Sequence, residues 1–492
     1  RIKIIEDLIY QDRNIKRIKT LIKSNNTILD IKDSNNENIL YKLLKRYNEL
    51  DIDKKEEIDY LYNIIMLFIH NGYNKTIKNN IAYYLDILTN KEKKHILNLI
   101  NILNNKSIIE LRDLENKYNI NLIYPKDIEL EMYNFKCNKD KVLDFRYQES
   151  LTIDGFDSKC LDDALFIEKN IDGTYTLYIH IAYIPSLIPY NSNINKEAKK
   201  RIETIYLMDT ISPLYPEYIA DYRLSLLSNN NRYCETIIIK LDPNFNIIED
   251  SIKIVKSKIN SHHRLTYEIA DDIIEKDLDD NLTQELKYLA NFSLSQKRKN
   301  KDKDEYRRLE NLINKNPNHE SFNADNSLSA NIVEESMILF NELKAKYYKN
   351  KGFPYNYRCL DKIKSDIIES DILSKLSTDY EKIDKKSWES FKKNLIPTYL
   401  NAYYSSTPKR HYGLDKEVYS HSSSALRRYS DAFCQYIDED LIFKDNLKDK
   451  DIYIWESRVK EMVNYLNNNY PNIENFSNQY NYLKSKKLIK TS

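Results

Sequence analysis

The chain has 492 residues, 41% hydrophobic, 31% charged and 12% aromatic, with a formal net charge of +1. That length suits two to four domains with a sizeable buried core, and the aromatic content excludes a wholly disordered chain. The balance of 76 basic against 75 acidic residues excludes a uniformly basic nucleic-acid coat, but not a local basic channel.

The five cysteines, Cys137, Cys160, Cys234, Cys359 and Cys434, are odd in number and lack CxxC spacing. A disulfide framework or a zinc knuckle is therefore not expected, and an intracellular, reducing compartment is. Cytoplasm and organelle stay open. The most apolar run, Tyr60 to Ile69, is about half the ~20 residues of a membrane span and reads as a buried helix segment. The chain opens on Arg1, and the acidic Glu6, Asp7 and Asp12 in its amphipathic first segment argue against a retained transit peptide. The wealth of Asn, Ile, Lys and Tyr reads as the imprint of AT-rich coding.

Residues 1–140 are expected to form an all-helical module. Apolar positions recur at three- and four-residue spacing in Asn38–Leu50, Ile58–His70, Ile81–Leu88 and Lys91–Leu103, and Ser107 is placed as the cap of a further helix. This module reads either as a partner-binding, helix-turn-helix or winged-helix element, or as a scaffold for its neighbour. Near residue 145 short strand-like segments begin: LTID, ALFIEK, YTLYIHIAYI and ETIIIKLD, punctuated by Asp172-Gly173 and Asp242-Pro243. Helical patterns return after Tyr267, and the polar stretch 300–326 reads as a surface excursion. The expected class is α+β, a mixed sheet with surrounding helices over 141–485 and a tail at 486–492.

Chemistry concentrates in LTIDGFDSKCLDDALF, where Asp154, Asp157, Asp162 and Asp163 fall within ten residues. Gly155 suggests a sharp turn that aims carboxylates at one point. Clustered carboxylates repel and raise one another's pKa unless a hard divalent cation such as Mg²⁺ or Mn²⁺ sits among them. The alternative is an acidic surface turn. Arg427 and Arg428 follow a Ser-rich loop and could grip phosphate oxygens, or could lie on a solvated helix face. Tyr206, near Lys199, Lys200 and Arg201, could stack on a base or lie in the core.

Taken together these blocks resemble the RNB catalytic domain of the ribonuclease II/ribonuclease R exonuclease family. The resemblance runs through TIDGFDSKCLDDAL from Thr152, HIAY from His180, TIYLMDTISPLYPE from Thr204 and RLTYE from Arg264. It continues through IVEESMILFNE from Ile332 and HYGLDKEVYSHSSSALRRYSD from His411, spanning about residues 142–485. It implies metal-dependent hydrolysis of single-stranded RNA from the 3′ end to nucleoside 5′-monophosphates. It places Asp154, Asp162 and Asp163 on Mg²⁺-site aspartates, Asp162 and Arg427 in the chemistry, and Tyr206, Arg427, Arg428 and Glu461 on the RNA. Cys160 stands where the family has a fourth aspartate, Tyr183 replaces the HIAD aspartate, and Ala425 replaces a proline. No OB or cold-shock barrel is expected on either flank, which resembles organellar and cyanobacterial-type branches. The implied partners are single-stranded RNA and a helicase or other complex member at the N-terminal helices. The competing expectation is a weakened or inactive RNB-fold RNA-binding or structural subunit, favoured by Cys160.

Overall fold

In the computed structural model, the described residues are 2–24, 32–35, 37–49, 57, 60, 61, 64, 65, 109–125, 128, 131, 135, 142–278, 280–300, 327–361, 402–485 and 489–490. They divide into two compact units, one of residues 1–118 with 478–492 and one of residues 119–477.

In the smaller unit, α1 (Ile2–Asp7) runs into a π-helical turn at Leu8–Asp12, followed by α2 (Ile15–Ser24) and α3 (Ile39–Glu49). Asn38 caps α3 by accepting the Tyr41 N–H at 2.9 Å. Ile39, Leu40, Leu43 and Leu44 form its buried stripe, as their spacing predicts. The run near Tyr60 buries Leu61, Ile64 and Ile65. The expected helices at 81–88 and 91–103, and Ser107 itself, lie outside the described residues. α4 covers only Leu111–Tyr118, because Ile109–Glu110 form a short strand, β1, parallel to Ile489–Lys490. Its partner lies some 380 residues away, so no local pattern announces it.

The larger unit carries a seven-stranded sheet built from β2 (Leu143–Asp144), β3 (Leu151–Asp154), β4 (Asp163–Lys169), β5 (Tyr175–Ala182), β8 (Asn231–Leu241), β9 (Lys253–Asn260) and β10 (His263–Thr266). Between β5 and β8 lies a small hairpin of β6 (Ile205–Tyr206) and β7 (Ile211–Ser212). The sheet order is β10-β3-β4-β5-β8-β9-β2. The inner strands are antiparallel, and both margins, β10 on β3 and β2 on β9, are parallel. Four of the strands match the sequence reading. The turn after β4 uses Gly173 at φ +83, a backbone glycine adopts without strain. Among the described residues every other sheet has two strands.

Alternation along the strands sends Leu151, Ile153, Leu165, Ile167, Leu177, Ile179, Ile237 and Ile239 to one face. There they meet apolar residues of α6 (Tyr267–Lys276), α7 (Asn281–Asn300) and α8 (Leu328–Lys351), which follow α5 (Asn193–Arg201) in the chain. α9 (Tyr429–Leu441) is tied to the end of β5, where Gln435 donates to the Ala182 carbonyl at 2.9 Å and accepts the Ile184 N–H at 2.8 Å. The architecture is the expected α+β one, and it brings the end of β3, the start of β4 and the start of α9 together.

Candidate active site

Asp154 ends β3 and Asp163 begins β4, strands that pair at Leu151 and Leu165. The loop between them turns at 155–158, with the Ser158 N–H on the Gly155 carbonyl at 3.0 Å. Arg264 of β10 fastens this turn by donating to the Ser158 carbonyl at 2.6 Å. Gly155 is not in the left-handed region, and a Cβ there would only touch Ser158 Oγ at 3.4 Å. The expected turn after Asp154 is present, and it forms without a left-handed glycine. Asp157 is exposed on the turn, so the cluster comprises Asp154, Asp162 and Asp163.

Asp162 is buried and joins two distant parts of the chain. Its Oδ1 accepts the Leu426 N–H at 2.7 Å, and its Oδ2 lies 3.4 Å from Arg427 Nε. Burial pushes Asp162 up to about 6, while Arg427 and the Leu426 N–H pull the other way. Asp163 is raised by burial and then by the charge of Asp162. Asp154 is raised by burial and then by Asp163 and Asp162, while its Oδ2 is buried with no hydrogen-bond partner. Tyr267, at the start of α6 beside the Thr266–Asp154 register, is pushed up to about 12 by burial and by the charges of Asp154 and Asp163.

The Ser-rich loop preceding the arginines is hung from two buried polar groups. Asn341 of α8 accepts the Ser422 N–H at 2.8 Å and donates to Ser423 Oγ at 3.0 Å and Tyr419 OH at 3.1 Å. Asp431 accepts the Ser424 N–H at 2.8 Å. This separates the two arginines. Arg427 keeps a side chain 45% exposed beside Asp162, whereas Arg428 is turned inward onto Asp431 at 2.8 Å.

Tyr206 is 57% exposed on the β6–β7 hairpin, not in the core. The backbone ahead of it is locked to the arginines, with the Thr204 N–H on the Arg427 carbonyl at 2.8 Å and the Tyr429 N–H on the Ile202 carbonyl at 2.7 Å. Ile202, at φ +67, sits in a γ-turn closed by the Glu203 N–H on the Arg201 carbonyl at 2.7 Å. This is a strained position for a β-branched residue. Glu461, on α10 (Asp449–Ser485), pairs with Lys199 at 2.9 Å; among the described residues no contact joins it to the carboxylates or to Arg427.

Cys160 Sγ donates to Asp221 Oδ1 at 2.8 Å, and burial pushes its thiol well above the usual range. Asp221 lies in a π-helical segment, Tyr218–Leu224, that the sequence reading passed over. Only its acidic character beside a Pro-bounded turn could have marked it. Among the described residues no three His, Cys, Asp or Glu side chains converge as a finished metal cage. The donor chemistry still fits a hard divalent cation. All three donors are carboxylates, Arg427 is paired with one of them, Asp162, and Asp154 Oδ2 is a buried acceptor without a hydrogen-bond partner.

The family model described as RNB domain matches residues 142–444. The chain belongs to the RNB-domain family. Ribonuclease R of Mycoplasmopsis pulmonis is 30% identical over 76% of this chain and 52% of its own length. Ribonuclease R 1 of Lactococcus lactis is 25% identical over 66% of this chain and 43% of its own length. This RNB-domain chain thus spans about half the length of the curated relatives it matches. Its fold is similar to Mycoplasma genitalium RNase R in complex with ribose-methylated single-stranded RNA, with TM-score 0.62 and 20% identity over 76% of this chain and 63% of that one. An active-site mutant of the Candida glabrata exoribonuclease Dss1 covers 98% of the chain and is itself covered to 65%, with TM-score 0.60 and 19% identity. Yeast Ssd1, a pseudonuclease, shares the fold at TM-score 0.57 and 17% identity, over 74% of this chain and 49% of that one.

Proposed function

We propose that the chain is a hydrolytic 3′→5′ exoribonuclease that shortens single-stranded RNA and releases nucleoside 5′-monophosphates. The observation that carries this reading is Asp162, whose carboxylate joins the acidic cluster to the Leu426 N–H and the Arg427 guanidinium. A buried carboxylate cluster beside a half-exposed arginine suits a phosphodiester, which needs negative charge managed on both sides of the reacting phosphorus. When bound at Asp154, Asp162 and Asp163, a divalent cation, Mg²⁺ or Mn²⁺, supplies activation of water and charge for the leaving oxygen.

The chain's own residues do the rest. Asp162 aims Arg427 at the phosphate, and Arg427 holds the charge that builds there. Tyr206 offers an exposed ring for the terminal base, on a hairpin whose backbone is bonded to that of Arg427. Arg428 keeps the loop on Asp431, and its contribution to RNA binding runs through that loop.

A 5′-labelled RNA of about 30 nucleotides, incubated with Mg²⁺ or Mn²⁺, is expected to give a descending ladder ending in a short core. Asp162→Asn is expected to abolish the ladder, by a factor on the order of 10² or more, while RNA binding persists. Labelled mononucleotide appearing at once from the 5′ end, or a ladder unchanged in Asp162→Asn, contradicts the reading. One observation favours a second reading, an RNA-binding RNB-fold subunit without turnover: Cys160 supplies no charge where the resemblance places an aspartate. Its signature is RNA bound and left intact in both metals.

A further inference from the structure

We propose that Asp221 supplies the fourth carboxylate of the acidic centre, compensating for the charge that Cys160 does not provide. The inference rests on the metal-dependent reading above and assigns to that site a residue outside the acidic run 154–163.

Cys160 stands two residues before Asp162, and its thiol donates to Asp221 Oδ1 at 2.8 Å. A protonated thiol carries no charge and is a soft donor, poorly suited to Mg²⁺. The negative charge at this corner therefore belongs to Asp221. Cys160 also lies within electrostatic reach of Asp162 and Arg427, so its position borders the acidic centre and not a remote surface.

The placement of Asp221 is fixed by more than that bond. Ser225, fully buried, donates to the Lys159 carbonyl at 2.8 Å and accepts the Leu161 N–H at 3.0 Å. The Leu226 N–H bonds the Leu161 carbonyl at 3.0 Å. These bonds lace the end of the π-helical segment to the three residues just before Asp162. π-Helical turns widen the backbone and recur where a side chain is re-aimed. Nearby cations are committed elsewhere: Lys159 pairs with Glu217 at 3.4 Å, Arg427 with Asp162 and Arg428 with Asp431. Among the described residues no ion pair to Asp221 is formed; its charge acts on Cys160 and, more distantly, on Lys159.

The test is calorimetric titration of the full chain with Mn²⁺ in the absence of RNA. Asp221→Asn removes the charge and keeps an oxygen for the Cys160 thiol. It is expected to weaken Mn²⁺ binding about tenfold, and the double variant Cys160→Asp/Asp221→Asn to recover it. Cys160→Asp alone, which keeps the Asp221 carboxylate, is expected to gain less than threefold because the charge is already present. Asp221→Asn binding Mn²⁺ like the unaltered chain, or a gain of threefold or more in Cys160→Asp alone, overturns the inference. Failure of the unaltered chain to bind Mn²⁺ overturns both this and the metal-dependent reading. Tight Mn²⁺ binding with RNA left intact overturns the hydrolase reading alone.

Discussion

At the scale of single residues, Asp154, Asp162 and Asp163 were legible because they lie within ten positions and flank two strand-like segments. What each one touches was not legible. Asp162 meets Leu426 and Arg427 across 264 residues, and Arg428, the apparent twin of Arg427, is spent on Asp431. Tyr206 could be assigned to core or surface only from the hairpin that exposes it. Another buried carboxylate gives a pH test apart from this site. Glu285 of α7 is buried, accepts the Ile167 N–H at 3.4 Å, and is pushed up by burial to about 9. Its folded pKa exceeds the unfolded value near 4.5, so the folded state holds the proton more tightly. The stability it contributes is full below pH 4.5 and is lost as pH rises through 9. Glu285→Gln is expected to raise the unfolding midpoint at pH 7–8, by on the order of 2 kcal/mol of stability, and to flatten the decline between pH 5 and 9. Equal pH sensitivity in the variant and the unaltered chain contradicts that assignment.

At the scale of elements, β3, β4, β5, β8 and α8 followed from period and turn residues. β2, β9 and β10 did not. β10 and β2 are four and two residues long and join the sheet in parallel, through pairings that only the tertiary fold specifies. α8 reads as a helix with an apolar stripe, yet it buries Lys344 completely between Glu235 of β8 and Asp438 of α9, with which it forms ion pairs. Tyr348 donates to the other oxygen of Asp438 at 2.6 Å. Burial, and then the charge of Asp438, pushes Glu235 up to about 8, against the pull of Lys344. Removing the ammonium leaves two carboxyl groups buried without a counter-charge. Lys344→Met is therefore expected to cost about 3–5 kcal/mol in denaturant unfolding. Adding Glu235→Gln and Asp438→Asn is expected to recover a substantial part of that loss. A cost under ~1 kcal/mol for Lys344→Met would show that the triad does not act as a unit.

At the scale of the whole molecule, a net charge of +1 excludes a uniformly basic surface. Many basic side chains around the site are already paired: Lys159 with Glu217, Lys199 with Glu461, and Arg428 with Asp431. RNA binding by this chain is expected to rest on few phosphate contacts. The logarithm of its affinity should fall with the logarithm of salt at a slope shallower than about −3, which corresponds to roughly four neutralised phosphates or fewer. A slope of −6 or steeper would reveal a cationic track beyond the site described.

The central claim is that Asp162 and Arg427 act as one unit on the scissile phosphate. The most direct measurement is a double-mutant cycle on the shortening rate of 5′-labelled single-stranded RNA, using Asp162→Asn, Arg427→Ala and the pair. Residues that act as a unit lose their joint contribution when either is removed. The account predicts that the double variant is no more than a few-fold slower than the slower single variant. Rate losses that multiply, or an unaltered chain that never shortens the strand, would contradict it.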